Sequence, residues 1–236
     1  DDWAVFALSN SGKTSEVIQL FHQLKDGGHP HRYSLAAFAD SPLESLATTG
    51  YVLECGPENA VAATKSVVEQ ALFLQALVGL ASGDDSLESS KSKLADQVQE
   101  ALTYSIEPSI IQRVAAAKTI YWAGRNDGVA EELTLKTNEI VRKPSDFLEG
   151  TYAAHGIEEV MHADDVLIWV DPYPGSEEKF KTVLQDGVGL EVIAIASRPT
   201  IFPTITIPEA GSLSTFVQMA AGWNLLVEVG VALGVN

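Results

Sequence analysis

Short apolar runs of strand length recur along this 236-residue chain, each followed by a small polar loop and a stretch with helical spacing. Trp3–Leu8 is the first, an unbroken run of the kind carried by parallel strands buried on both faces. It ends in Ser9-Asn-Ser-Gly-Lys-Thr-Ser-Glu16, after which Val17, Ile18, Leu20 and Phe21 fall at helical spacing. Further strands are predicted at Tyr33–Ala39, Tyr51–Leu53, Thr119–Ala123, Asp165–Val170, Leu190–Ala196 and Ile205–Ile207. Helices are predicted at Pro42–Ala47, from Val61 into the apolar stretch Ala63–Gly83, from Pro108, over Ser176–Gln185 and over Phe216–Gly234. Alternation of this kind predicts an α/β protein with parallel sheets, because a parallel strand is reached by a helical crossover. The series runs twice, giving a first half at 1–84, a linker and connecting helix at 85–107, and a second half at 108–236.

Composition narrows the function classes. A formal net charge of −17 argues against nucleic acid and anionic membrane surfaces, both of which need basic patches. Cys55 stands alone, so no intrachain disulfide is possible and a reducing compartment fits. No charged, then apolar, then small-residue leader opens the sequence, and a cytoplasmic location is expected. Ala63–Gly83 and Phe216–Gly234 are long and apolar, but polar residues recur through both. They are predicted to be buried in a layered fold or at a subunit interface, and no membrane partner is expected. His29 and His31 lack a nearby carboxylate or thiolate, so no metal site and no cofactor are predicted.

Two stretches carry residues suited to chemistry. The loop Ser9–Thr14 offers three hydroxyls, a glycine and free N–H groups at a helix start, which suits a phosphate; a Ser or Thr capping the helix explains the same residues. Glu132, Lys136 and Glu139 fall within a narrow arc of one predicted helix. By spacing alone they read as a solvated face with an i,i+4 ion pair worth a few tenths of a kcal/mol. The segment between that helix and His155 is predicted to be irregular.

Taken in order, four motifs change that balance. Ser9-Asn-Ser-Gly-Lys-Thr14 resembles the S-x-S-G-x-T loop of the sugar isomerase (SIS) domain family. Gly56-Pro-Glu-Asn-Ala-Val-Ala-Ala-Thr-Lys65 resembles its G-P-E-x-x-V-A-S-T-K stretch. Gly124-Arg125, with Glu132, Leu135-Lys136 and Glu139-Ile140, resembles the helix of the second SIS half, and His155-Gly156 falls where the family has its H-G pair. The resemblance covers almost the whole chain. It implies two SIS-type, flavodoxin-like αβα halves, the N-terminal one incomplete because the β-α unit preceding the S-x-S-G strand is absent from this sequence.

The resemblance also implies a function: a phosphosugar isomerase or deaminase acting on an amino-sugar 6-phosphate by proton transfer between C2 and C1. A fructosamine-6-phosphate deglycase and a non-catalytic SIS regulator that binds sugar phosphates are the alternatives. Ser9, Asn10, Ser11 and Thr14 would cradle the phosphate, and Ala63 and Thr64 would lie near the sugar. Glu139 would be the base and His155 would assist ring opening, with Glu132 and Lys136 lining the pocket. Relatives of this type imply a homodimer. Phe147–Ala154 differs from the corresponding stretch of the synthases, which bears on substrate identity.

Overall fold

A computed structural model describes residues 3–56 and 58–235 of the chain. It divides into two compact units, the first ending at Glu88 and the second beginning at Ser89, and each is described by itself.

Unit 1 holds a parallel sheet in the order β1-β2-β3, from Val5–Leu8 (β1), Arg32–Ala36 (β2) and Thr49–Val52 (β3). The helices are Ser15–Asp26 (α1), Pro42–Leu46 (α2) and Lys65–Ser82 (α3). Residues 61–64, predicted to open α3, lie outside it, and the helix begins at Lys65. A small core gathers Ala7, Phe21, Leu43 and Leu46, with Val17 and Ile18 of α1 packed against it. The predicted burial of the first apolar helix does not hold within this chain. Only Ser66 of α3 is buried, and Leu77, Val78 and Leu80 are exposed.

Unit 2 is built on a five-stranded parallel sheet in the order β5-β4-β6-β7-β8. Its strands are Ile120–Gly124 (β4), Ser145–Glu149 (β5), Val166–Val170 (β6), Glu191–Ala196 (β7) and Thr204–Thr206 (β8). Every residue of β4 and β6 is buried, as central parallel strands require. Strand β5 corrects the expectation of an irregular segment. It lies at the sheet edge, only its Leu148 is buried, and its ladder with β4 makes it a strand where its own residues do not. The expected linker is largely helical, with Ser86–Thr103 forming α4, followed by Pro108–Ala116 (α5). Val129–Lys136 is α6, Glu177–Phe180 is α7 and Ser214–Ala232 is α8. Among the described residues α8 is the stretch long and apolar enough to cross a membrane, and 67% of its most apolar window is buried inside the protein. That makes it a core helix by packing. Trp169 stacks on Phe180 with ring centroids 3.6 Å apart, anchoring α7 to β6.

Gly222 fixes how closely α8 meets α6. A Cβ there would lie 2.6 Å from Leu133 Cδ1, and Leu133 is fully buried. Alanine would gain up to about 1 kcal/mol of helix propensity, but overpacking a closed core costs about 1–3 kcal/mol. Gly222→Ala is therefore expected to lower the melting temperature by a few degrees, read by calorimetry against wild type. A rise in melting temperature would show that α6 and α8 are not held at this spacing.

Candidate functional site

Unit 1 presents its loop where a β-strand hands over to a helix, the position at which open α/β sheets bind ligands. Ser9 is buried, and its Oγ lies 2.9 Å from Thr14 Oγ1, so the two hydroxyls close the loop across its base. Thr14 precedes α1 but makes no side-chain cap bond, which disposes of the capping explanation for this hydroxyl. Ser11 is exposed and its Oγ accepts from Lys13 N–H at 3.2 Å, while the Asn10 carbonyl accepts from Ala37 N–H at 2.9 Å. Gly12 adopts φ +60° and sits against Ser41, and a Cβ at this position would clash with that residue. The loop thus needs glycine for both conformation and room.

Ala63 and Thr64 occupy the turn before α3. The residue that organises this turn is Glu58, which the sequence reading quoted without giving it a role. Its carboxylate accepts from the backbone N–H groups of Thr64 at 2.7 Å, Lys65 at 2.7 Å and Ser66 at 3.2 Å, and from the Ser66 hydroxyl. Burial by itself would raise its pKa, but these hydrogen bonds outweigh it and bring the group to about 2. A carboxylate seven residues ahead of a helix start was the available signal. Glu69 does the same for the preceding segment, accepting from Glu54 and Cys55 N–H at 2.7 Å each. Burial, together with the hydrogen bond and charge of Glu69, pushes the Cys55 thiol up and away from the thiolate.

In unit 2 the helix bearing Glu132, Lys136 and Glu139 is not a solvated face. The Lys136 side chain is 3% exposed, with its Nζ 3.3 Å from Glu132 Oε1 and 2.8 Å from Glu139 Oε2. Spacing gives the angular phase of three residues but not their depth, so the surface reading fails at Lys136. Burial pushes the Glu132 carboxyl up in pKa, against the opposing attraction of Lys136. After Lys136 the helix widens into a π turn over Thr137–Val141, the kind of local distortion frequent at functional sites. Thr137 is its peg. The hydroxyl donates to the Leu133 carbonyl at 2.8 Å and accepts from Trp122 Nε1 at 2.8 Å.

His155 follows a short 3₁₀ turn and is exposed. Its Nε2 meets Lys179 Nζ of α7 at 3.0 Å, so the structure joins it to Lys179 and not to Glu139. Lys179 was not singled out from sequence. Arg125, in the loop after β4, spans to the end of β6: its Nε is 3.0 Å from Asp171 Oδ2 and its guanidinium lies 3.8 Å over the Tyr173 ring. Glu149, at the end of β5, accepts from Asn126 N–H, and burial raises its pKa. Chemically, unit 1 offers a hydroxyl-rich loop at an uncapped helix start. Unit 2 offers two carboxylates sharing one buried ammonium.

Comparison with known proteins bears on the family and the fold. The SIS domain family matches residues 1–80. The glutamine–fructose-6-phosphate aminotransferase (isomerizing) of Xylella fastidiosa is 26% identical over 196 residues, 77% of this chain and 32% of that protein. The enzyme of the same name from Sulfolobus acidocaldarius is 28% identical over 160 residues, 66% of this chain and 26% of its own length. The chain therefore spans about a third or less of these curated relatives. Among solved structures, the C-terminal domain of the Francisella tularensis glucosamine-fructose-6-phosphate aminotransferase superposes with a TM-score of 0.77 at 18% identity, covering 100% of this chain and 75% of that one. Tagatose-6-phosphate ketose/aldose isomerase from Escherichia coli gives a TM-score of 0.70 at 15% identity, covering 97% and 68%. Glucosamine-6-phosphate deaminase from Thermotoga maritima gives 0.73 at 18%, covering 98% and 70%. The chain thus matches the SIS domain family over residues 1–80 and shares the parallel α/β fold of these solved structures.

Proposed function

We propose that this protein is a phosphosugar isomerase or deaminase that shifts a proton between C2 and C1 of an amino-sugar 6-phosphate. The observation that carries the reading is the Glu132–Lys136–Glu139 cluster. A buried ammonium within 2.8 Å of a carboxylate is an expensive arrangement to keep unless it serves chemistry or specificity. Abstracting a proton next to a carbonyl needs a positioned base, and Glu139 takes that role. It removes the C2 proton, electrons move into a C1–C2 enediol or enolamine, and the same carboxyl returns the proton to C1. Lys136 holds the carboxylate in place, and His155 exchanges the ring-oxygen proton as the sugar opens. In unit 1, Ser9, Asn10, Ser11 and Thr14 take the phosphate, with Ala63 and Thr64 near the sugar. The relatives whose names specify a sugar all act on a 6-phosphate, which supports that ligand class.

The test is turnover against hexose, hexosamine and fructosamine 6-phosphates, with C2 proton exchange and release of ammonia or amino acid followed together. Amino-acid release would identify the deglycase reaction instead. In the same series, sugar 6-phosphates are expected to raise thermal stability by mass action while free sugars do not. Ser11→Ala combined with Thr14→Ala should abolish that rise. An undiminished rise in the double variant would move the phosphate out of this loop, and binding without any turnover across the panel would leave a sugar-phosphate sensor.

A further inference from the structure

A second polar cavity lies entirely within unit 2, away from Glu132, Lys136 and Glu139. Its volume is about 180 Å³, and it opens at the carboxyl ends of β6, β7 and β8, beside the start of α8. Asp171, Ser197, Glu209, Ser214 and Gln218 line it, and no lysine or arginine does. The carboxyl ends of parallel strands are where α/β sheets of this kind hold ligands.

Gln218 makes this cavity more than a dent in the surface. It sits one turn into α8 and is 4% exposed, and its Oε1 has no hydrogen-bond partner among the described residues. An unpartnered buried amide is uncommon, because burying a donor or acceptor without a partner forfeits its hydration. Leucine would fit a core helix at this position without that cost. The other polar groups are already committed as donors. The Ser197 hydroxyl donates to Glu209 Oε2 at 2.6 Å, and the Ser214 hydroxyl donates to the Gly211 carbonyl at 2.6 Å. Glu209 also accepts from Gly211 N–H at 3.0 Å, and these bonds, with more distant help from Lys93, hold it ionised. Asp171 has one oxygen on Arg125 at 3.0 Å. What remains uncommitted in this wall is carboxylate and hydroxyl lone pairs, together with the Gln218 amide, whose oxygen is an acceptor and whose NH2 is a donor.

We propose that this cavity is a binding site for a primary ammonium group. Such a group brings three donors and a positive charge to a wall of acceptors carrying two carboxylates, and it is small enough for the space. An anion would meet both carboxylates, and a bare hydroxyl would bring them no positive charge. The assignment is independent of the sugar-phosphate reading, since none of its residues belongs to that proposal.

The test uses methylammonium chloride on the intact chain, followed by the side-chain amide resonances of Gln218 in ¹⁵N-labelled protein. Two heavy atoms limit such a probe to a dissociation constant of about 10 mM, so titration should run well beyond that. A saturable shift of the Gln218 amide is expected with methylammonium. Tetramethylammonium at the same ionic strength, which has the charge but no donors, should leave it still, and so should glycerol, which has donors but no charge. Thermal stabilisation by methylammonium should vanish in Gln218→Leu and weaken at least tenfold in Glu209→Gln. Absence of a saturable shift would overturn the site, as would equal responses to tetramethylammonium or glycerol. So would unchanged stabilisation in a Gln218→Leu variant with a wild-type fold.

Discussion

Glu139→Gln is expected to retain the fold and the affinity for sugar phosphate while turnover drops by about 10²–10⁴-fold, the usual share of a general base. The amide preserves shape and can still accept from Lys136 Nζ, which lies 2.8 Å from Glu139 in the native protein. It cannot accept a proton from carbon. Exchange of the substrate's C2 proton with deuterated solvent should fall in parallel, and this readout separates lost chemistry from lost binding. A structural ion pair makes the opposite forecast, because losing one partner of such a pair changes stability and leaves the rate near normal. Near-normal turnover by Glu139→Gln on a confirmed substrate would end the enzymatic assignment of this helix and leave the sensor.

Lys136→Met is expected to cost about 3 kcal/mol of stability at neutral pH, among the larger effects a single substitution can have here. The side chain is 3% exposed, and its removal leaves Glu132 and Glu139 facing each other with no countercharge. The loss should depend on pH with a definite sign. Burial already holds the folded-state pKa of Glu132 above its unfolded value, so the native state binds the proton more tightly than the unfolded chain. Stability carried by such a group is fully present below the unfolded carboxyl pKa and is lost as pH rises through the raised folded value. Without Lys136 that value rises further, so the variant should recover stability on acidification through the weakly acidic range. Chemical denaturation of variant and wild type over that range would show it. A deficit independent of pH would mean that methionine disturbs packing and that the charges do not matter.

Residues that decide the layout of unit 2 were legible because burial on both faces leaves an unmistakable trace. Val166–Val170 and Ile120–Gly124 contain only residues a central parallel strand can hide, and α8 carries its apolar character all round. The four motifs were legible for a different reason: loops at strand ends carry chemistry, so their residue types are restricted. What escaped depended on tertiary context. Ser145–Glu149 has too little apolar content to announce a strand, and the neighbouring ladder imposes one. Lys136 looks like surface because lysine usually is, and only the packing of α8 and β4 around α6 places it inside. Helix α3 is the opposite case, apolar enough for a core or a subunit interface yet uncovered within its own unit. Glu58 was visible in its motif, but its work is done by geometry, since three amides and a hydroxyl converge on it only after the turn has formed.

The widened turn after Lys136 governs how chains of this type can diverge in length. Arg142 N–H reaches the Thr137 carbonyl at 3.0 Å, a bond spanning five residues where an α-helix spans four. A turn of that width takes in one residue more than an α-turn, and it closes the helix, with Arg142 capping it in the left-handed conformation at φ 59°. It is therefore the place in this helix where related chains can gain or lose a residue at least cost, with Lys136 and Glu132 keeping their phase upstream. Pairwise alignments between distant relatives should be expected to slip by one position here. Matching Glu139 across them by sequence offset would then pair it with the wrong neighbour, and matching by contact with the buried lysine would not.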